Sequence, residues 1–178
     1  FTSDASILDD VRRDPQACLD PDGEVIGSLI RRAVQVKADV VADDFRETSS
    51  TSSTRRLGRE VLNYGHTFGH AVERTERYRW RHGAAVAVGM VYVAELARLG
   101  GRLSDADADL HHEVLELLGL PTRYTAGRWE QLLSAMQVDK KARGAVLRFV
   151  VLESIGRPVN WDGPDPALLV GAYAALSE

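Results

Sequence analysis

The sequence predicts a mainly α-helical domain carrying one small β element. Apolar residues recur at helical spacing along most of the chain. Helix start and stop signals punctuate those runs. Only one stretch, Val146 to Leu152, is dense enough in β-branched and aromatic residues to read as a strand. No internal repeat and no long linker interrupts the 178 residues, so positions 1–178 read as a single unit.

Ala5 to Leu19 is a first helical region, interrupted at Asp14–Pro15 because proline cannot continue a helix from its interior. Asp20 to Gly23, "DPDG", is a turn built from turn-forming residues. Glu24 to about Asp43 is a strong helix. Its apolar stripe runs through Ile26, Ile30, Ala33, Val40 and Val41, with Lys37 in its midst. Thr48 to Thr54 is a polar, low-complexity loop. A helix follows from about Arg59 to Tyr78, and another from near His82 to about Leu99, stopped by Gly100–Gly101. Ser104 reads as the N-cap of a helix reaching about Leu118, which Gly119 and Pro121 end. Arg128 to Met136 is a short helix. Val159 to Trp161 is expected to pair back on the strand across "SIGRP", and Pro166 to Leu176 closes the chain as a helix.

Composition narrows the classes of function. Hydrophobic content of 44% and charged content of 27% are those of a globular protein with a real core. A net charge of −4 provides no global basic field for nucleic acid or an anionic membrane. Cys18 is the single cysteine, so no internal disulfide exists, which fits a cytoplasmic setting. The most apolar run, Gly83 to Ala94, is shorter than the roughly 20 residues a membrane span needs. It reads as a buried core helix. The first residue is Phe1 rather than Met, so the chain is expected to be processed or part of something longer.

One helix carries an unusual face. On a continuous helix from Arg59, the residues Arg59, Asn63, His66 and His70 fall within roughly 60° of one another. Val61, Tyr64, Phe68 and Val72 lie opposite. A purely solvated face would favour Glu, Lys and Gln, which are better helix formers than Asn and His. Gly65 and Gly69 each cost about 1 kcal/mol against alanine, and their spacing permits a neighbouring backbone to come close. Neutral imidazole is the commonest protein ligand for zinc. His66 and His70, four apart, could share a metal. Alternatively one of them pairs with His82 across the helix–helix turn, leaving the other for acid–base work. The H-E-x-x-H pattern is absent. Lys37, unexpected in an apolar stripe, is either snorkelling or used. Lys140 and Lys141 in "DKKARG" could grip a phosphate. His111 and His112 sit on a separate amphipathic helix beside Glu113 and read as structural residues with no functional role.

Together "VKADVVADD", "REVLNYGHTFGHAVE", "HGAAVAVGM" and "DKKARGAVLRFVVLESIGRP" resemble, in order and over essentially the whole chain, the C-terminal half of 3-dehydroquinate synthase. The resemblance points to bacterial, actinobacterial members. It implies a helical, metal- and substrate-binding C-terminal domain of an α/β enzyme of the shikimate pathway. It implies a lyase that uses zinc (or cobalt) and NAD to convert 3-deoxy-D-arabino-heptulosonate 7-phosphate to 3-dehydroquinate and phosphate. By motif, His66 and His82 would be metal ligands, and His70 would contact substrate near its phosphate. Arg59, Asn63, Lys37 and Glu47 would be active-site residues, and Lys140 or Lys141 would reach the phosphate.

NAD would be held mainly by an N-terminal nucleotide-binding domain. A third metal ligand, a glutamate in an E-x-x-K segment, would lie just upstream of Phe1. The chain alone is therefore expected to be inactive. A homodimer is the expected assembly, with no nucleic acid or membrane partner. Two departures from the family pattern stand out. Eleven residues separate Glu47 from Arg59 where three are usual, and Ala84 stands where many members have glutamate. Competing readings are a related sugar phosphate cyclase of secondary metabolism (aminodehydroquinate or valiolone type), a non-catalytic helical module, and an iron-type alcohol dehydrogenase.

Overall fold

The computed structural model describes residues 1–47, 58–141 and 146–177, with side chains described for all but 44–47 and 138–141. Eight α-helices, one 3-10 helix and a two-stranded hairpin make up these residues. Helix α1 (Ser6–Arg13) and α2 (Pro15–Leu19) divide at Asp14. Its side chain caps α2 by accepting from Ala17 N–H, while Pro15 sits where no N–H is needed. Helix α3 (Glu24–Glu47) runs four residues past the expected end. The 3-10 helix Gly58–Asn63 leads through a tight turn into α4 (His66–Thr75), and α5 (His82–Leu99) follows. Helix α6 (Asp105–Leu117) starts at Ser104, whose hydroxyl accepts from Asp107 N–H, as its sequence signature predicts. Helix α7 (Trp129–Lys141) extends five residues beyond Met136. Strands β1 (Arg148–Ser154) and β2 (Arg157–Asp162) pair antiparallel, Val151 facing Val159, and α8 (Pro166–Leu176) closes the fold.

Helix α5 is the axis of the core. It packs against α4, α6, α8 and β1, and the stretch from Val91 to Ala97 is buried without a break. It is long and apolar enough to cross a membrane by length and composition, but 61% of it is buried inside this fold. Phe68 of α4 stacks on Tyr92 of α5 at 4.0 Å, and Phe149 of β1 meets the same tyrosine. A smaller cluster of Leu8, Val11, Cys18 and Val114 ties α1 and α2 to α6.

Two sequence expectations are corrected here. The helix expected from Arg59 to Tyr78 is not continuous. Gly65 adopts φ +76°, a left-handed conformation that splits the 3-10 helix from α4. The cause is tertiary: a Cβ on Gly65 would stand 2.8 Å from Met90 N, so only glycine lets this turn sit against α5. Arg59 and Asn63 therefore belong to a different element from His66 and His70, and the single helical face does not exist. Second, the apolar stripe of α3 is not core among the described residues. Ile30 is 57% exposed, Ala33 and Lys37 are exposed beside it, and Ile26, Val40 and Val41 are only partly covered. The lysine breaks no buried stripe, because none is buried here.

The glycine expectation holds in a sharper form. Gly69 lies against the α5 backbone, its virtual Cβ 3.1 Å from Ala85 O and Val86 Cα. Gly89 on α5 completes the contact from the other side. Three glycines thus bring α4 and α5 into backbone contact, and this fixes the height at which the α4 histidines stand relative to His82.

Candidate metal and substrate site

His66 opens α4 and His82 opens α5, so two helix N-termini place the two imidazoles side by side. Their ring centroids are 5.4 Å apart. His70, one turn further along α4, is 5.4 Å from His66 and 6.0 Å from His82. All three histidines of "REVLNYGHTFGHAVE" and "HGAAVAVGM" therefore converge. Two imidazoles sharing a tetrahedral metal at Zn–N of about 2.0–2.1 Å would have centroids roughly 5 Å apart, so the spacing fits a common ion.

Hydrogen bonds at Nδ1 decide which nitrogen of each ring is left for a ligand. His66 Nδ1–H donates to the Tyr64 carbonyl at 3.0 Å. His82 Nδ1 lies 3.2 Å from Glu73 Oε1. Both rings thus have Nε2 free. Burial, with opposition from the nearby His70 and His82, holds the His66 imidazole below its ordinary pKa, despite the Tyr64 carbonyl and Glu73, which favour the cation. The neutral ring is the form a metal needs. Among the described residues, the set whose ligand atoms all lie within 4.8 Å of one another is His70, Glu73 and His82, and it leaves out His66. This donor set of imidazole and carboxylate suits zinc or cobalt.

The other expected site residues are distributed around this point. Arg59 and Asn63 are exposed on the 3-10 helix just before it. Helix α3, which bears Lys37, packs along that 3-10 helix. Glu60 fastens the same element to the hairpin, pairing with Arg148 at 3.2 Å and accepting from Asn160 Nδ2. The side chains of Glu47, Lys140 and Lys141, and the inserted loop, lie outside the described residues.

Sequence reading missed two supports. Glu73 passes for a solvated helix residue, although its place one turn after His70 was visible. His111, read as without a functional role, is fully buried. Its Nδ1–H donates to the Asp107 carbonyl at 2.7 Å, so its Nε2 accepts from Tyr64 O–H, also at 2.7 Å. Tyr64 in turn offers its carbonyl to His66. Tyr64 therefore links α6 to the first candidate ligand, holding His111 through its hydroxyl and His66 through its carbonyl.

Burial drives the His111 pKa down to about 4. A depressed histidine pKa means that the folded state resists a proton the unfolded chain accepts. The associated stability is complete above the ordinary value of about 6.5 and is lost as pH falls toward 4, amounting to about 3 kcal/mol. Urea midpoints should accordingly fall more steeply between pH 7 and pH 4.5 in the native protein than in His111→Gln. Parallel slopes would refute this role for His111.

Fold and geometry define a helical domain with an imidazole cluster where α4 meets α5. The chain matches the 3-dehydroquinate synthase C-terminal family model over residues 1–142 and belongs to that family. It is 60% identical to a 3-dehydroquinate synthase of Nocardia farcinica, over 99% of this chain and 45% of that protein. The chain thus spans about half the length of the curated relatives it matches. Among solved structures it resembles a 2-epi-5-epi-valiolone synthase of Streptomyces hygroscopicus with NAD+ and Zn2+ bound. The TM-score is 0.81 at 21% identity, over 98% of this chain and 47% of that one. A 2-deoxy-scyllo-inosose synthase complexed with carbaglucose-6-phosphate, NAD+ and Co2+ aligns over 65% of this chain and 34% of that one, with TM-score 0.53 and 26% identity.

Proposed function

We propose that the protein is the metal- and substrate-binding part of a 3-dehydroquinate synthase. That enzyme converts 3-deoxy-D-arabino-heptulosonate 7-phosphate to 3-dehydroquinate and phosphate in the shikimate pathway of aromatic amino acid biosynthesis. The observation that carries this reading is the convergence of His66, His70 and His82 in a chain 60% identical to a protein of that name. That identity favours the dehydroquinate reaction over the secondary-metabolic cyclases, which share the fold at much lower identity.

His66 and His82 would hold a zinc or cobalt ion through Nε2, with Nδ1 of each ring engaged behind it. The bound ion supplies Lewis-acid polarisation of a substrate hydroxyl. His70 stands at the exposed edge of the cluster, where an imidazole can bind or relay a proton to the substrate phosphate. Arg59 and Asn63 would orient the substrate from the 3-10 helix, Lys37 and Glu47 from α3. Lys140 and Lys141 would supply positive charge for the phosphate at the end of α7. NAD is assigned to the nucleotide-binding half, so that half is the first partner. A cytoplasmic homodimer completes the reading.

Phosphate release by the full-length protein should require the heptulosonate phosphate, NAD and a divalent metal. Dialysis against a chelator should abolish turnover, and Zn2+ or Co2+ should restore it. Faster turnover of a different heptulose phosphate would assign the protein to another cyclase class.

A further inference from the structure

We infer that Glu73 is a positioning residue that holds His82 in the one tautomer able to offer Nε2 to a metal. The inference rests on the metal-site reading above and adds a residue to it.

The two members of this pair differ in freedom. His82 is the first residue of α5, and its side chain is 58% exposed, whereas the Glu73 side chain is 13% exposed. An exposed imidazole with no partner turns about its side-chain bonds and exchanges its proton between both nitrogens. Whenever Nε2 carries that proton, it cannot ligate. The packed carboxylate of Glu73, 3.2 Å from Nδ1, keeps the proton on Nδ1 and the ring in one orientation.

His66 obtains the same arrangement from backbone alone, through the Tyr64 carbonyl. The two candidate ligands are therefore each gripped at Nδ1, one by a carbonyl and one by a carboxylate. The difference follows from their locations. His66 follows a left-handed turn that aims a carbonyl back at it, and His82 begins a helix with no side-chain cap. A side chain from α4 must do for His82 what the turn does for His66. Glu73 also lies near enough to His70 and His82 to be considered as a ligand itself. That role conflicts with the hydrogen bond. A metal shared by Glu73 and His82 Nδ1 would have to replace the Nδ1 proton, leaving the 5.4 Å His66–His82 spacing unused.

Three measurements on Glu73→Ala, Glu73→Gln, His66→Ala and His82→Ala test this. In the metal-free protein, 15N shifts of the His82 ring should report the Nδ1–H tautomer in the native sequence and a mixture in Glu73→Ala. Chelator competition should show Zn2+ binding weakened by about 10–100-fold in Glu73→Ala. Glu73→Gln, whose amide oxygen can accept the same hydrogen bond, should lose less. At saturating Co2+, the visible absorption bands should keep their shape in Glu73→Ala, because the ligand set is unchanged. Unaltered Zn2+ affinity and tautomer in Glu73→Ala, with affinity lost in His82→Ala, would overturn the positioning role and leave the metal site standing. Altered Co2+ bands would make Glu73 a ligand and overturn it differently. Native Zn2+ affinity in both His66→Ala and His82→Ala would remove the underlying metal reading.

Discussion

His82→Ala should strip the full-length protein of stoichiometric zinc and lower kcat/KM by about 1,000-fold or more, equivalent to roughly 4 kcal/mol of transition-state stabilisation. The same result is expected for His66→Ala. Loss of an outer hydrogen bond to a ligand typically costs 10–100-fold in metal affinity, and loss of the ligand itself exceeds this. His70→Ala should behave differently: metal content stays near native, while kcat falls and KM for the phosphorylated substrate rises. This contrast is informative because distance alone does not separate the three rings. His70 is as close to His66 as His82 is, each at 5.4 Å. The separation of roles rests on the motif resemblance, and the hydrogen bonds at Nδ1 of His66 and His82 accord with it. Metal analysis by atomic absorption on the three variants decides the matter. If His70→Ala loses zinc as completely as His82→Ala, the site is a three-histidine centre and the substrate role of His70 falls.

How much of this was legible in the sequence depended on whether the controlling force was local. Asp14, Pro15, Ser104 and the turn before β2 act within a few residues of themselves, and their elements appear where expected. The convergence of His66, His70 and His82 was legible in part: glycines at 65 and 69 permitted a close helix contact, and pairing of one α4 histidine with His82 across the turn was one of two options. The break at Gly65 was not. A helical wheel assumes an unbroken backbone, and the left-handed turn is required by Met90, far away in sequence. His111 escaped notice because its neighbours Asp109 and Glu113 give the helix a polar rhythm, while the tertiary fold turns that ring inward onto Tyr64. Helix α3 erred the other way. Its stripe has core periodicity, yet Ile30 and Ala33 are exposed among the described residues. Periodicity states that a face is apolar, and only the assembled fold states what covers it.

Gly89→Ala should be the most damaging glycine-to-alanine substitution among the described residues. The added Cβ would stand 2.0 Å from Gly65 O and 2.9 Å from both Gly65 C and Gly69 N. All three are backbone atoms, so no side chain can rotate away, and one helix must shift. Gly65 O is also the acceptor that starts α4, taking the Gly69 N–H at 2.9 Å. Displacing it loosens the turn that carries His66 at the moment it pushes α4 from α5. Overpacking of this kind costs about 1–3 kcal/mol, and the backbone clash places Gly89→Ala at or above the top of that range. A loss of about 3 kcal/mol corresponds to a fall in Tm of roughly 6–12 °C for a domain of this size. Gly27→Ala is the matched control. It lies inside α3, where a Cβ would meet only the flexible Arg31 side chain at 3.5 Å. There alanine should stabilise by up to about 1 kcal/mol through helix propensity. Thermal and urea unfolding of the two variants should therefore move in opposite directions. Zinc affinity should fall only in Gly89→Ala, since only that methyl reaches the helix contact setting His66 against His82. Native stability in Gly89→Ala would mean that α4 and α5 can separate without cost, and the three glycines would then have no part in holding the site.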